Sequence, residues 1–252
     1  DEESATFTGG GPFHIDKLDV EEEGIIRLAA GTYYVDEFKL DDEVKVIITS
    51  TPVYLHIGDK LELKDEVEMN KGGMVTGLIV YLHDDAELKM HEDSEFVGSV
   101  YGPEAKKVEL KEDARFHGVI VTDDAEVKLK EDVRLTYTSS DATAVAALCS
   151  SPSSSEMFCE DESNHALSAG SKLVIAKNSK VNDNSINKGT TNANSVLKPD
   201  GSRATVNQPL AALNPASFPS NTETQDRTDA HSPFVHTSPA YYDDIIVERN
   251  KT

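Results

Sequence analysis

The sequence predicts an all-β fold, a right-handed parallel β-solenoid (β-helix) of about seven coils with a short helical insertion. Two observations predict it: an apolar pattern that recurs about every 20 residues, and charged columns whose sign alternates from one repeat to the next. Apolar residues within a repeat lie two positions apart, which is the periodicity of a strand. A repeat of this length can bury its apolar face only against its neighbours, as the coils of a β-helix do.

The repeated pattern is an apolar residue, any residue, a second apolar residue, five further residues and a third apolar residue. The first repeats begin 20, 23, 27, 20 and 19 residues apart. A second apolar run precedes most repeats, so each coil is expected to contain two or three short strands. An amphipathic helix does not fit, because no apolar stripe has helical spacing. The pattern occurs at Leu18/Val20/Ile26, Phe38/Leu40/Val46, Leu61/Leu63/Met69, Leu88/Met90/Phe96, Val108/Leu110/Phe116, Val127/Leu129/Leu135 and Leu173/Ile175/Val181.

Two charged columns flank the first apolar residue of the repeats. Both alternate in sign at every step, and they are opposite in sign to each other. Parallel strands lie about 4.8 Å apart, so each charge is expected to face opposite charges on the coils above and below. An exposed pair contributes only about 0–1 kcal/mol, but a slipped register would oppose like charges, so the columns specify register. The columns are Lys17, Glu37, Lys60, Glu87, Lys107, Glu126, Lys172 and Asp19, Lys39, Glu62, Lys89, Glu109, Lys128.

The chain divides into four segments. Residues 1–137 form solenoid coils, 138–170 a helical and loop insertion, 171–187 a further coil, and 188–252 an extended polar segment that ends in a β-strand. The seventh repeat is expected to stack directly on the sixth, because Lys172 continues the sign alternation after Glu126.

The insertion is expected to begin with a short Ala-rich helix over Asp141–Leu148, with Ser140 or Asp141 as its N-cap. Its two cysteines, Cys149 and Cys159, have no His–Cys metal spacing around them. Two free buried thiols are one interpretation. We favour a disulfide, which predicts an oxidising compartment and a secreted, cell-surface protein.

The last strand is predicted at Tyr241, Tyr242, Ile245, Ile246 and Val247. An extended polar segment with an apolar terminal strand suits β-strand addition. The strand could be added to a neighbouring subunit or to the chain's own solenoid, and both alternatives remain open here. We predict self-association, or end-on docking to other surface or pilus subunits, through this strand.

The net charge of −22 argues against nucleic acid as a partner, because phosphate binding needs clustered Lys and Arg. The sequence has no run of about 18 apolar residues, so we predict no membrane span. Paired acids follow the repeats at Asp42/Glu43, Asp65/Glu66, Glu92/Asp93, Glu112/Asp113 and Glu131/Asp132. They could hold Ca²⁺, but no calcium motif is present, so we favour solvated turns with Lys111 and Lys130 as partners and predict no cofactor.

His56 and His83 each lie five residues before their repeat. Two imidazoles could bind a metal ion, but a closed structural site needs four ligands. Stacked surface histidines are therefore expected, and no metal site is predicted.

The string Phe-Val-Gly-Ser-Val-Tyr-Gly-Pro-Glu-Ala-Lys-Lys-Val-Glu-Leu begins at Phe96, and Phe-His-Gly-Val-Ile-Val follows it. This region resembles the β-helical repeats of bacterial type IV pilus-associated proteins, of the PilX-like and mannose-sensitive haemagglutinin pilus biogenesis types. The resemblance covers roughly residues 81–137. It implies an extracellular solenoid tied to pili or adhesion, with no catalytic residues to transfer. Its matching residues are Gly98, Tyr101, Pro103, Ala105 and Gly118.

We therefore expect a non-catalytic extracellular structural or adhesive subunit of a bacterial surface, pilus-associated or filamentous assembly. The sequence contains no G-x-S-x-G, P-loop, H-E-x-x-H or G-x-G-x-x-G motif. The alternative is a carbohydrate-active or carbohydrate-binding β-helix, which a groove of exposed aromatic rings would favour.

Overall fold

The computed structural model of the chain confirms an all-β parallel solenoid of about seven turns. The structure describes residues 4–9, 11–138, 140–141 and 143–144. Beyond these it describes the segments 167–169, 172–175, 179–183, 191–193, 196–197, 203–204, 230–231, 234–237 and 240–247.

The described strands are short, and most are followed by a turn. They are β1 (Ser4–Thr8), β2 (Phe13–Val20), β3 (Ile25–Leu28), β4 (Gly31–Leu40), β5 (Lys45–Ile48), β6 (Val53–Leu63), β7 (Glu68–Met69), β8 (Leu78–Leu82), β9 (Glu87–Met90), β10 (Glu95–Gly102), β11 (Lys107–Leu110), β12 (Arg115–Thr122), β13 (Glu126–Leu129), β14 (Arg134–Tyr137), β15 (Leu167–Ala169), β16 (Lys172–Ile175), β17 (Lys180–Asp183), β18 (Thr191–Ala193), β19 (Val196–Leu197), β20 (Arg203–Ala204), β21 (Ala230–His231), β22 (Phe234–Thr237) and β23 (Ala240–Val247). A 3₁₀ turn at Val75–Gly77 interrupts the third coil.

The strands form three parallel stacks. Stack 1 contains, in order, β22, β1, β3, β5, β7, the first parts of β10 and β12, β14 and β17. Stack 2 contains the first parts of β23, β2, β4 and β6, then β8, the second parts of β10 and β12, β15 and β18. Stack 3 contains the second parts of β23, β2, β4 and β6, then β9, β11, β13, β16 and β19.

Apolar residues at alternate positions fill the space between the stacks. The leucines predicted to point inward at positions 18, 40, 63, 88, 110 and 129 are all buried, with at most 1% of each exposed. They lie in two adjacent columns: Leu18 and Leu88 are in one, and Leu40, Leu63, Leu110 and Leu129 are in the other. Inward stacking of the repeat is therefore confirmed for these residues. Leu173 pairs with Val127 in register.

The start of the insertion differs from the prediction. Thr138 Oγ1 accepts a hydrogen bond from the Asp141 N–H at 3.2 Å, and the Asp141 carboxylate accepts one from the Thr138 N–H at 2.8 Å. This reciprocal pair is a capping box, so Thr138 is the N-cap and not Ser140 or Asp141. Residues 140, 141, 143 and 144 are helical. The rest of the predicted helix and both cysteines lie outside the described residues, so the Cys149–Cys159 disulfide stays a prediction.

Strand β23 pairs with β2 of the same chain, in register from Phe13↔Ala240 to Val20↔Val247. It therefore takes the intramolecular alternative and adds a coil in front of the first one. At the other end β20 pairs with β19 in the antiparallel direction. In the described part of the chain, no helix has the length and apolar character needed to cross a membrane.

Candidate functional site

The outer face of stack 3 carries the alternating charges. Lys60 lies opposite Glu37 and Glu87, and Lys107 lies opposite Glu87 on one side and Glu126 on the other. The predicted register is therefore confirmed across the coils.

The structure extends the first column by one residue that the sequence prediction missed. Asp244 lies opposite Lys17, so the alternation begins one coil earlier, on β23. The sequence contains the signal for this residue. Asp244 directly precedes Ile245-Ile246-Val247, whose first and third residues are the two apolar positions of the pattern. In the same way, a lysine or a glutamate directly precedes the first apolar residue of each other repeat.

The ion pairs themselves mostly run along a strand. Lys17 Nζ lies 3.2 Å from Asp19, and Lys107 Nζ lies 2.8 Å from Glu109. Some also join coils, such as Lys39 with Asp19 at 3.5 Å. The lysines therefore form ion pairs with carboxylates of their own strand, and some also with carboxylates of the next coil. The sequence prediction contained only the pairs between coils.

Contacts with lysines favour the charged form of Glu87 and Glu109 by lowering the pKa of each carboxyl. Hydrogen bonds from Lys106 and Lys89 lower the pKa of Glu87 to about 2. Burial raises the pKa of Glu109, but the hydrogen bond and charge of Lys107 outweigh it, and the pKa is below its usual value. The acids of this face are ion-pair partners of lysines, which suits a role in fixing register.

The acidic turns form a second set of columns. The third residue of each turn has a positive φ of 53–62°, as at Glu43, Glu66 and Asp113. A β-turn with positive φ at this position usually has Gly or Asn there. The N–H of Glu43 donates to the Asp65 carbonyl at 3.0 Å, and the N–H of Glu66 donates to that of Glu92 at 3.0 Å. The turns are thus joined by backbone hydrogen bonds, and their acidic side chains are exposed apart from that of Asp132, which is half-buried.

The described residues include no group of three or more His, Cys, Asp or Glu side chains that converges as a metal site would.

An aromatic ladder runs along the outer face of stack 2. His14, Tyr34, His56 and Tyr81 occupy successive coils in register. Their ring centroids are 4.8, 4.6 and 4.6 Å apart in turn. Because each ring faces the next, the faces that would stack on a sugar are largely taken within this ladder.

His56 and His83 stack on each other as expected, but only 7% of each residue is exposed, so the expectation that they lie on the surface is wrong. His56 Nδ1 lies 3.0 Å from His83 Nε2, and the ring centroids are 5.2 Å apart. The rings are stacked with an interplanar angle of 28°, and the separation of these two nitrogens is that of an N–H···N hydrogen bond. A metal ion on the line between them would lie well inside the usual metal–nitrogen distance of about 2.0 Å.

A family model described as Domain of unknown function (DUF7305) matches residues 3–143, which is more than half of the chain. The chain belongs to this family. Searches of curated proteins and of solved structures returned no match.

The DUF7305 match ends just after the capping box, and one contact ties that point to the solenoid. His117 Nε2 lies 2.9 Å from the Asp141 carboxylate. Burial raises the pKa of Asp141, but hydrogen bonds from Thr138 and His117 outweigh this effect and keep the pKa below its usual value. The contact joins the start of the insertion to β12 of the DUF7305 region. Strands β15–β23 lie outside the matched residues.

The buried histidine pair of the DUF7305 region predicts a pH dependence of stability. Burial, and then the charge of His83, lower the pKa of His56 from 6.5 to about 3. As the pH falls, His56 is protonated near pH 6.5 in the unfolded chain but only near pH 3 in the folded chain. Its protonation therefore favours unfolding: the free energy of unfolding is undiminished above about pH 6.5 and decreases as the pH falls toward 3. Between pH 7 and pH 5 the free energy of unfolding should decrease by about 2 kcal/mol from this residue alone.

Urea denaturation between pH 7 and pH 5 measures this loss in the wild-type chain and in a His56→Phe/His83→Phe double variant. The loss should be smaller in the double variant, while His14→Phe, in the same ladder, should keep most of it. An equal decrease of the free energy of unfolding between pH 7 and pH 5 in all three chains would contradict the assignment of this decrease to the buried histidine pair. Carboxylates with a lowered pKa, such as Glu87, lose their contribution only below about pH 4.5, outside this range.

Proposed function

We propose that the chain is a non-catalytic, extracellular structural or adhesive subunit of a bacterial surface assembly, either pilus-associated or filamentous. The observation that supports this most is the charge column of stack 3, which runs in register from Asp244 to Lys172. Each coil adds about 4.8 Å to the axis, and each is held in register by charge. Such a construction gives a rod of defined length, which is what an assembly needs from a structural part.

The electrostatics of the outer faces agree with this role. The carboxylates of stack 3 are engaged by lysines, and the excess negative charge lies in the exposed turns. Exposed acids at a high net charge keep a protein soluble and oppose unspecific contact between rods. A partner would then have to be recognised at the ends of the rod, where β20, β21 and β22 each pair with one strand among the described residues.

Localisation in the native cells tests the proposal. The protein should be found on the cell surface by immunogold labelling and should be released with the pilus or fibre fraction when cells are sheared. Peptide mass spectrometry of non-reduced protein from that fraction should find a Cys149–Cys159 disulfide. Because it closes a short loop, this disulfide should stabilise the folded chain by about 2–3 kcal/mol. Protein that stays in the cytoplasmic fraction with two alkylatable thiols would overturn the proposal.

The same purified protein should be applied to a panel of immobilised glycans. We expect no saturable binding, because the ring faces of the ladder from His14 to Tyr81 are stacked on each other. Saturable binding to one glycan class would instead support the carbohydrate-binding alternative.

A further inference from the structure

We infer that a basic stripe near one end of the rod docks on two acidic turns near the other end of a second copy, so that successive copies overlap side by side. The basic stripe consists of Arg115, Arg134 and Lys180, the first residues of β12, β14 and β17. The inference rests on the proposed function, because it supplies the contact by which subunits would assemble.

The basic stripe departs from the charge order of the rest of the rod. Arg115 lies opposite Arg134, and Arg134 lies opposite Lys180, so three positive residues follow each other in one column of stack 1. The first column of stack 3, in contrast, alternates in sign at every coil. Like charges on neighbouring strands repel, and an anionic partner would relieve this repulsion.

The same column of stack 1 contains a pair of like charges that the chain itself compensates. Glu68 lies opposite Glu95, and Lys71 Nζ bridges their carboxylates at 2.5 and 3.2 Å. The arginines have no equivalent bridge. Arg115 Nη2 lies 4.0 Å from the Asp93 carboxylate, and Arg134 forms no ion pair with another residue that the structure describes.

Both arginines are accessible to a partner. The side chain of Arg115 is 55% exposed, and Arg134 is exposed as well. A guanidinium group can bind a carboxylate through two parallel hydrogen bonds. The stripe therefore presents such groups on adjacent coils, about 4.8 Å apart.

The acidic patch that fits the stripe is formed by the turns after β2 and β4. Each of these turns contains three consecutive acids, Glu21–Glu23 and Asp41–Glu43, of which the second and third are exposed. The later turns have a lysine or a histidine in the first of these places, at Lys64, His91, Lys111 and Lys130. The turns are therefore most acidic on the first coils and less acidic beside the stripe.

The stripe and the patch match in spacing as well as in charge. The N–H of Glu23 donates to the Asp42 carbonyl at 3.0 Å, so the two turns lie on adjacent coils, as the two arginines do. Two rods that lie side by side can therefore set both arginines against both turns. One copy can use its stripe and its patch at once, and such a contact need not close into a ring. Repetition produces an open fibre of staggered rods.

Ionic strength decides whether this local attraction prevails over the net charge of −22. The screening length is about 8 Å at 0.15 M salt and about 3 Å at 1 M. At 0.15 M, repulsion between distant parts of two rods is largely screened, whereas charges in contact still interact. We expect association that depends on protein concentration at 0.15 M salt and weakens at 1 M.

Charge reversal with complementation tests the docking. Arg115→Glu/Arg134→Glu reverses the stripe, and Asp42→Lys/Glu43→Lys reverses one turn of the patch. Sedimentation velocity of the full-length chains at 0.15 M salt measures association. Each variant alone should need an about tenfold higher concentration than the wild-type chain to associate. An equimolar mixture should regain association, because each stripe then meets a patch of opposite sign.

Arg27→Glu/Lys45→Glu is the matched control. It changes the net charge by the same amount and also lies in stack 1, on β3 and β5, but it leaves the stripe intact. It should associate as the wild-type chain does, and a loss equal to that of the stripe variant would overturn the docking. If the stripe variant does not fold, Arg115→Gln/Arg134→Gln takes its place and should also weaken association.

A wild-type chain that stays monomeric at every concentration at which it is soluble would overturn the docking, as would a mixture that does not regain association. Wild-type monomers that bind an acidic surface protein through Arg115 and Arg134 would assign the stripe to that protein instead. The proposed function would stand in these cases if the chain is still found in the sheared surface fraction. Complementation by charge in a protein confined to the cytoplasm would leave the docking standing and overturn the proposed function.

Discussion

Truncation of Leu110 to Ala should reduce the free energy of unfolding by about 2–5 kcal/mol. Leu110 is completely buried and lies between Met90 and Leu129 in the column of stack 3. Each coil is packed against its two neighbours, so the coils above and below can close the resulting cavity only by breaking their own register. The loss should therefore be near the upper part of this range.

Urea denaturation of Leu110→Ala and of Glu112→Ala measures the effect. Glu112 lies two residues away on an exposed turn, where removal of the side chain should change the stability by no more than about 0.5 kcal/mol. Equal losses for the two variants would show that the column of stack 3 is not the core.

A second large effect is expected from Gly118→Ala. Gly118 has a φ of 142°, and a Cβ atom built there would lie 1.7 Å from the carbonyl oxygen of Gly98 on the preceding coil. That oxygen belongs to the backbone and cannot rotate away, so two coils would have to separate. The variant should lose on the order of 3–5 kcal/mol or fail to accumulate as soluble protein.

Gly72→Ala is the control for the conformation of the backbone alone. Gly72 has a φ of 72°, but a Cβ atom there would have nothing within 4 Å. Its variant should lose only about 1–2 kcal/mol, the cost of a left-handed conformation for a residue with a side chain. If Gly118→Ala unfolds at the same urea concentration as Gly72→Ala, the close contact between coils is not the reason that glycine occupies position 118.

The parts of the fold that repeat could be predicted from the sequence. Leu40, Leu63 and Leu110 occupy the same place in their coils, so one rule for inward and outward residues describes them all. The same rule gave the register of Lys60 and Lys107, and it would have given Asp244. A repeated feature appears in the sequence several times, and its pattern is therefore stronger than that of any single site.

The features that occur once were the ones that the sequence prediction missed. The repeat pattern placed His56 and His83 against each other, but their burial depends on a contact across two coils that differ in length, and the pattern does not give it. The Thr138 cap was missed because the acid at Asp141 was itself considered as a cap and not as its partner. The positive φ of Glu43 and Glu66 was also missed, because glutamate is seldom found in that conformation; the backbone ladder between turns holds it there.

The pairing of β23 with β2 joins two parts of the chain that are more than 200 residues apart. Ribosomes add about 5–20 residues per second, so roughly 10–45 seconds pass between the synthesis of β2 and that of its partner. During this time the β1–β2 edge of the nascent chain is an unpaired strand edge of the kind that recruits other chains. A chain truncated before residue 240 never acquires β23 and keeps that part of the edge bare. Synthesis of β23 is therefore also the event that decides when this edge stops being available to chaperones and to other nascent copies.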